Sequence, residues 1–228
     1  MATPIISFQD YGFQYAAQAK PTLNHINLDI YPGEKVLIAG ASGSGKSTIG
    51  SCINGLIPFA YPGESTGKLL VDGKEPSQSS IFELSHTVGT VLQDTDGQFI
   101  GLTVGEDIAF ALENDCVPQE EMKETIERVA KLVDIEHHLQ YAPHELSGGQ
   151  KQRVSLAGVM VDQVKVLLFD EPLANLDPAA GRTTIELIDM VQQKTGAAVI
   201  IIEHRLEDVL WRNVDRIVLM EEGSIVVD

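Results

Sequence analysis

Residues 36–48 read VLIAGASGSGKST and predict a phosphate-binding loop between a strand and a helix. Glycines let main-chain N–H groups approach phosphate oxygens closely, and the positive end of the helix dipole adds to the attraction. Lys46 is expected to bridge the β- and γ-phosphates of a nucleotide, and Ser47 to ligate Mg²⁺. A flexible glycine-rich turn is the alternative. The expected nucleotide contacts are Gly40, Ser42, Gly43, Ser44, Gly45, Lys46, Ser47 and Thr48.

A second apolar run, residues 166–169 (VLLF), ends at Asp170 and Glu171. Strands of a parallel sheet are apolar on both faces, and ligands gather at their carboxyl ends. Asp170 is therefore placed to hold Mg²⁺ through its water shell, and Glu171 to orient and deprotonate an attacking water. Two solvated acids at a strand end are the alternative, but the phosphate-binding loop upstream favours catalysis.

Strand-like and helix-like segments alternate along the chain, which predicts an α/β fold with a largely parallel sheet. Prolines and glycines between residues 58 and 67 predict a loop. Strands are predicted at residues 5–8, 26–30, 35–39, 68–71, 87–92, 164–169, 198–202 and 216–220, and helices at residues 46–56 and 179–194.

Residues 104–133 interrupt this alternation, because they are charged, have helical spacing and contain no strand-like run. Ile126, Val129, Ala130 and Val133 fall at i, i+3, i+4 and i+7, which predicts one apolar helix face that packs in a core. A helical segment is thus predicted inside a nucleotide-binding α/β core.

Residues 146–150 read LSGGQ and predict a small-residue turn that opens a helix. Such a turn forms a second anion site that needs no lysine. Ser147 would also cap the helix, and the two roles are compatible. One chain has no obvious need for a second γ-phosphate site, whereas in a head-to-tail dimer each chain closes over its partner's nucleotide. The expected contacts are Ser147, Gly148, Gly149 and Gln150.

With these three motifs the chain resembles the ABC ATPase family over essentially its whole length. The resemblance implies a phosphate-loop NTPase (RecA-like) core with an antiparallel β subdomain and an inserted α-helical subdomain. Residues 1–93 and 154–228 would form the core, and residues 94–153 the helical subdomain that carries the LSGGQ turn. It also implies hydrolysis of ATP to ADP and phosphate with Mg²⁺.

The same resemblance implies further site residues. Gln93 corresponds to a glutamine that ligates Mg²⁺ and helps to position water, and His204 to a histidine that contacts the γ-phosphate; with Glu171 they would be catalytic. Asp177 fits a loop that contacts the opposite subunit. Tyr15 fits the aromatic residue that stacks on adenine. The nearby aromatic residues that could stack instead are Tyr11 and Phe13.

Two segments look like the energising ATPases of energy-coupling-factor transporters, which import vitamins and also cobalt or nickel. They are residues 93–99 (QDTDGQF) and 103–110 (TVGEDIAF), although Thr95 stands where those proteins usually have proline. Residues 54–58 (NGLIP) are similar to the first cassette of tandem members. Family members usually continue beyond the point that corresponds to Asp228, so we expect a piece of a longer protein, such as its N-terminal half.

The expected partners are a second ABC cassette, identical or paralogous, and integral membrane subunits at the cytoplasmic face of the cell membrane. No apolar stretch approaches the ~20 residues that cross a bilayer, and the N-terminus lacks signal-peptide features. Membrane association would therefore depend on a partner. The formal charge of −17 argues against sequence-independent binding to nucleic acid.

Two alternatives stay open at this point. A soluble tandem ABC ATPase acting on the ribosome would have a basic linker, which this sequence lacks. A regulatory cassette that binds ATP without hydrolysis usually has a degraded motif, and none of the motifs here is degraded.

Overall fold

In the computed structural model, which describes residues 3–92, 96–174 and 176–228, the strands form two sheets. The smaller sheet is antiparallel, with strand order β2-β1-β4. The larger sheet has the order β5-β6-β7-β3-β8-β9, and all its neighbours pair in parallel except β8 and β9. The strands are β1 (Ile6–Tyr15), β2 (Leu23–Ile30), β3 (Lys35–Gly40), β4 (Gly63–Val71), β5 (Val88–Val91), β6 (Val166–Asp170), β7 (Ala198–Ile202), β8 (Arg216–Glu221) and β9 (Ser224–Val227).

Several helices begin at residues whose side chains satisfy free main-chain N–H groups. Thr103 and Ser147 each form a capping box, and the Asp177 carboxylate accepts from two N–H groups. The helices are α1 (Lys46–Ile53), α2 (Leu56–Phe59), α3 (Ile81–Ser85), α4 (Val104–Asn114), α5 (Gln119–Leu132), α6 (Gly148–Met160), α7 (Pro178–Thr195) and α8 (Leu206–Val209). None of them, in the described ranges, is long and apolar enough to cross a bilayer.

The large sheet separates two apolar cores, because its central strands alternate their side chains between the two faces. On β3, Leu37 and Ala39 join the core that contains α4 to α7, while Val36 and Ile38 join the core formed with α1 and the small sheet. The apolar helix face predicted within residues 126–133 packs in the first of these cores, as expected. The predicted α/β class with antiparallel and helical additions is confirmed.

The prediction of a loop at residues 58–67 was wrong for its second half, because Gly63 and Gly67 lie within β4. Gly63 pairs with Tyr15 of β1, and a Cβ atom on Gly67 would lie 2.1 Å from the main-chain oxygen of Asp10. Glycine is needed there to let two strands approach closely at an irregularity of the register, rather than to make a turn. The predicted helix at residues 46–56 ends at Ile53.

The division at residues 93 and 153 stays a prediction. Its second boundary falls inside α6, which runs from Gly148 to Met160 and packs on both α4 and β5.

The parallel register brings three strand ends to one edge of the large sheet. Ile202 of β7 pairs with Ile38 of β3 and with Asp170 of β6. The chain segments that leave these strands, which begin at Ala41, Glu171 and Glu203, therefore start close together.

We expect Leu168→Ala to lower the free energy of unfolding by about 2–5 kcal/mol, because Leu168 is 1% exposed between these strands. The matched substitution Leu102→Ala, at a side chain that is 82% exposed, should change it by less than about 0.5 kcal/mol. Urea unfolding followed by circular dichroism measures both. Equal effects of the two substitutions would contradict this description of the core.

Candidate active site

The phosphate-binding loop has the geometry that its glycines predict. Gly45 precedes α1 with a φ of 101°, and a Cβ atom on Gly40 would lie 2.3 Å from the main-chain oxygen of Met220. Lys46 Nζ donates to the carbonyl oxygens of Gly40 and Ala41, each at 2.9 Å, and this side chain is buried. The loop thus holds an ammonium group at the start of a helix, where main-chain N–H groups also attract anions.

An open cleft of about 750 Å³ lies over this loop. Most of the contacts predicted on this loop line the cleft, whereas Gly40 and Ser44 do not. Gly223 N–H donates to the Ser44 carbonyl at 3.1 Å. The Ser44 hydroxyl is buried without a hydrogen-bond partner in the described ranges. The predicted residues that line the cleft are Tyr15, Ser42, Gly43, Gly45, Lys46, Ser47, Thr48 and Glu171.

Ser47 and Asp170 form the candidate metal site. Ser47 Oγ donates to Asp170 Oδ1 at 3.1 Å, which joins the start of α1 to the end of β6. Burial raises the pKa of the Asp170 carboxyl; the bond from Ser47 opposes this effect, and the neighbouring Glu171 carboxylate adds to it. Two oxygen donors beside a phosphate cradle fit Mg²⁺, which takes few protein ligands and completes its shell with phosphate and water. Gln93 lies outside the described residues, so its predicted role is untested.

Glu171 and His204 are brought together from β6 and β7. Glu171 has a φ of 49°, and its N–H donates to the carbonyl oxygen of Ile202 at 2.8 Å. His204 Nδ1 lies 3.9 Å from Glu171 Oε1 and 3.1 Å from Glu203 Oε1. Both predicted catalytic side chains therefore occupy the strand-end edge that also holds the phosphate-binding loop.

Tyr15 is the one of the three candidate aromatic residues that lines the cleft. Tyr11 and Phe13 are 7% and 2% exposed and belong to the core. The Tyr15 hydroxyl lies 3.1 Å from Thr48 Oγ1, and its ring meets the edge of Tyr61 at a centroid distance of 6.4 Å. Burial raises the pKa of Tyr15. The stacking on adenine stays a prediction. Of these three aromatic residues, Tyr15 alone lines the cleft in which a nucleotide would lie.

The LSGGQ turn does not meet the phosphate-binding loop within one chain. Ser147, Gly149 and Gln150 line a separate cavity of about 180 Å³ between α6 and α7, and among the described residues none lines both cavities. Asp177, predicted to contact an opposite subunit, accepts from Ala179 N–H and Ala180 N–H at 2.9 and 3.0 Å as the cap of α7. The intersubunit roles of these residues stay predictions.

Sequence reasoning missed a buried carboxylate, Glu203, which is 0% exposed. It accepts hydrogen bonds from the N–H groups of His204 (2.8 Å), Arg205 (3.1 Å) and Leu173 (3.2 Å). Arg205 Nη1 in turn donates to the carbonyl oxygens of Leu173 and Leu176. These bonds hold the segments after β6 and β7 against each other. The sequence feature that could have identified Glu203 is its position directly after the apolar run of residues 198–202.

The outer rim of the cleft was also missed. Gln18 and Lys20 reach it from the β1–β2 connection, and Glu222 from the β8–β9 turn. No local pattern marks these residues, because only the pairing of distant strands brings them to the loop.

The fold and site together define a phosphate-loop nucleoside triphosphatase. A family model described as "ABC transporter" matches residues 23–174. The chain belongs to this family of ATP-binding cassettes, whose general properties are binding of ATP with Mg²⁺ and ATP hydrolysis.

Relatives of the chain are described as ABC transporter ATP-binding proteins. One from Clostridium perfringens is 64% identical over 98% of this chain, and one from Enterococcus faecalis is 62% identical over the whole chain. These matches span only 39% and 40% of the two relatives, so the chain covers about two fifths of their length.

Among solved structures, the chain is similar to CbiO1 from Clostridium perfringens, which is described as part of the ABC transporter complex CbiONQ. The TM-score is 0.88 at 32% identity, and the match covers 99% of this chain and 88% of that one.

Two substitutions should separate nucleotide binding from turnover. We expect Lys46→Ala to weaken ATP binding by roughly ten- to a hundredfold, because a charged hydrogen-bond donor is lost. Glu171→Gln should keep ATP binding and lower the hydrolysis rate by about 10²–10⁴-fold, because the amide cannot accept a proton from water. Fluorescent-nucleotide titration and phosphate release measure the two effects.

Lys123→Ala and Glu120→Gln, on α5, serve as charge-matched controls that should change neither quantity. Wild-type hydrolysis by the Glu171→Gln variant would refute the catalytic role of Glu171.

Proposed function

We propose that the chain is the ATP-hydrolysing cassette of an energy-coupling-factor importer, which powers uptake of a vitamin or a metal ion through membrane partners. The observation that supports this proposal most strongly is the similarity, over almost the whole chain, to CbiO1, which is described as part of the CbiONQ transporter complex. In this proposal the chain acts at the cytoplasmic face of the cell membrane and is paired head-to-tail with a second cassette.

In the proposed reaction, main-chain N–H groups of the loop and Lys46 hold the phosphates of ATP. Bound Mg²⁺ would supply charge neutralisation at the phosphates; Ser47 and Gln93 would ligate it, and Asp170 would hold it through its water shell. Glu171 would accept a proton from the attacking water. His204, whose main-chain N–H is bound by the buried Glu203, would contact the γ-phosphate. This chemistry is largely positioning and electrostatics, so each charged group has a large effect.

The LSGGQ turn supports the paired arrangement. A Cβ atom on Gly149 would meet nothing within 4 Å, so this glycine is not required by packing within the chain. Gly149 lines a cavity at the start of α6, and the N–H groups of Gly148 and Gly149 at this helix end would attract an anion. We propose that the second cassette presents its ATP to this turn, and that the loop of this chain meets the partner's turn in the same way.

A groove between α4, α6 and the end of β5 is the proposed contact with a membrane subunit. It has a volume of about 190 Å³. Ile100 and Phe110 line it and are 66% and 42% exposed, and the neighbouring Leu102 is 82% exposed. Exposed large apolar side chains around a groove are suited to bind a short amphipathic helix. This region carries the segment that resembles energy-coupling-factor ATPases.

The experiment that tests this function is capture of membrane subunits from native membranes, solubilised in detergent, with the tagged protein. We expect wild type to capture integral membrane proteins, and Phe110→Asp to lose them, because a carboxylate in the groove would be desolvated by a docked helix. ATP binding should be unchanged in the variant.

Leu210→Asp is the matched control, since Leu210 is 45% exposed but follows α8 and does not line the groove. It should capture the same proteins as wild type. Capture of ribosomal proteins instead, or equal capture by Phe110→Asp and wild type, would contradict the proposed function.

A further inference from the structure

The side chain of Gln150 is held in one orientation by two hydrogen bonds. Its Oε1 accepts from Ser147 N–H at 2.8 Å, and its Nε2 lies 3.0 Å from Nε2 of His138. A main-chain N–H can only donate, so the amide atom that faces Ser147 must be the oxygen. The NH₂ group of Gln150 therefore faces His138, and this group can only donate.

His138 Nε2 must consequently be the acceptor. An imidazole nitrogen accepts only when it carries no proton, so this hydrogen bond selects the neutral ring with its proton on Nδ1. Nδ1 is buried and has no hydrogen-bond partner in the part of the chain that the structure describes. A protonated ring would place an N–H against the NH₂ group of Gln150 and would leave the second N–H unpaired.

Apart from Gln150, the neighbour of the His138 ring in the described structure is an aromatic side chain. The edge of Tyr141 packs on the imidazole at a centroid distance of 5.0 Å. Nearby in sequence, Glu136 has a buried Oε2 without a partner in the described ranges. The charged groups on the 3₁₀ turn Glu136–His138 and on the adjoining α4, α5 and α6 are Glu136, His137, Glu106, Asp107, Glu113, Glu120, Glu121, Lys123, Glu124, Glu127, Arg128, Lys131, Lys151 and Arg153.

Several of these charged groups already have main-chain partners. The Glu106 and Asp107 carboxylates accept N–H groups of residues 100–103. Arg153 Nη1 donates to the Val133 carbonyl. Within the described residues, the hydrogen bond to the Gln150 amide is the contact of the His138 ring that depends on its protonation state.

We propose that His138 is a positioning residue for the LSGGQ turn. Neutral His138 fixes the Gln150 amide, which caps Ser147 N–H and orders the start of α6; protonation of His138 releases this cap. The functional consequence rests on the proposed pairing of cassettes, because the ordered turn is the surface that the partner's nucleotide meets. Closure over ATP should therefore be weaker when His138 carries a second proton than when its ring is neutral.

Amide hydrogen exchange of the full chain tests the proposal directly. Protection of the Ser147 N–H, corrected for the intrinsic exchange rate, should be roughly fivefold lower at about pH 6 than at about pH 8, the effect of losing one capping bond. His138→Gln should remove this pH response, because an amide oxygen accepts at both pH values. His137→Gln should keep it, since that side chain is 86% exposed and lies outside the contact.

The Gln150→Glu variant should reverse the pH response, which general unfolding would not do. Its carboxylate would accept from Ser147 N–H and from protonated His138, so protection should be greater at the lower pH, the reverse of wild type. Should His138→Gln fold poorly, His138→Asn and Gln150→Glu still decide the question. An equal pH response in wild type and His138→Gln, or no reversal in Gln150→Glu, would overturn the proposal.

These measurements need neither nucleotide nor partner, so they can fail while the proposed transport function stands, and the reverse also holds. The ATPase rate supplies the functional readout. Relative to His138→Gln, wild type should lose activity at the lower pH, with the loss in turnover at saturating ATP rather than in ATP binding to the phosphate-binding loop.

Discussion

The arrangement of the site depends on the parallel pairing of β3, β6 and β7, which ends three strands at one edge of a buried sheet. Each strand has both faces in an apolar core, so its position is set by packing on two sides. The positions of the polar groups that follow the strands are therefore fixed as well. Ser47 and Asp170, which belong to segments more than a hundred residues apart in sequence, are within hydrogen-bond distance for this reason.

Polar contacts then hold the segments beyond the strand ends. The buried Glu203 carboxylate and the Arg205 guanidinium tie the segment after β6 to the segment after β7, which places Glu171 beside His204. Gln152 of α6 bonds to the carbonyl oxygen of Pro172 in that segment and accepts from Thr184 of α7. Hydrogen bonds therefore connect the segment that follows Glu171 both to the end of β7 and to α6, the helix that begins at the LSGGQ turn.

Local motifs predicted the parts of the site that lie on one continuous segment. The loop at residues 40–48 and the two acids at the end of β6 were predicted because in each case one strand and its following turn carry all the needed signals. Glu203, Arg205 and the rim residue Glu222 were missed, since their roles arise from contacts between distant segments. Gly67 was assigned to a loop because a glycine that permits strand approach has the same local pattern as a glycine in a turn.

Binding of Mn²⁺ in place of Mg²⁺, followed by electron paramagnetic resonance, tests most directly whether the loop and the end of β6 form one metal–nucleotide site. We predict that wild type binds Mn²⁺ strongly only when ATP is present, and that Asp170→Asn and Ser47→Ala each weaken this ATP-dependent binding. Unchanged ATP-dependent Mn²⁺ binding in both variants would contradict the account, because the juxtaposition of Ser47 and Asp170 would then have no part in holding the metal.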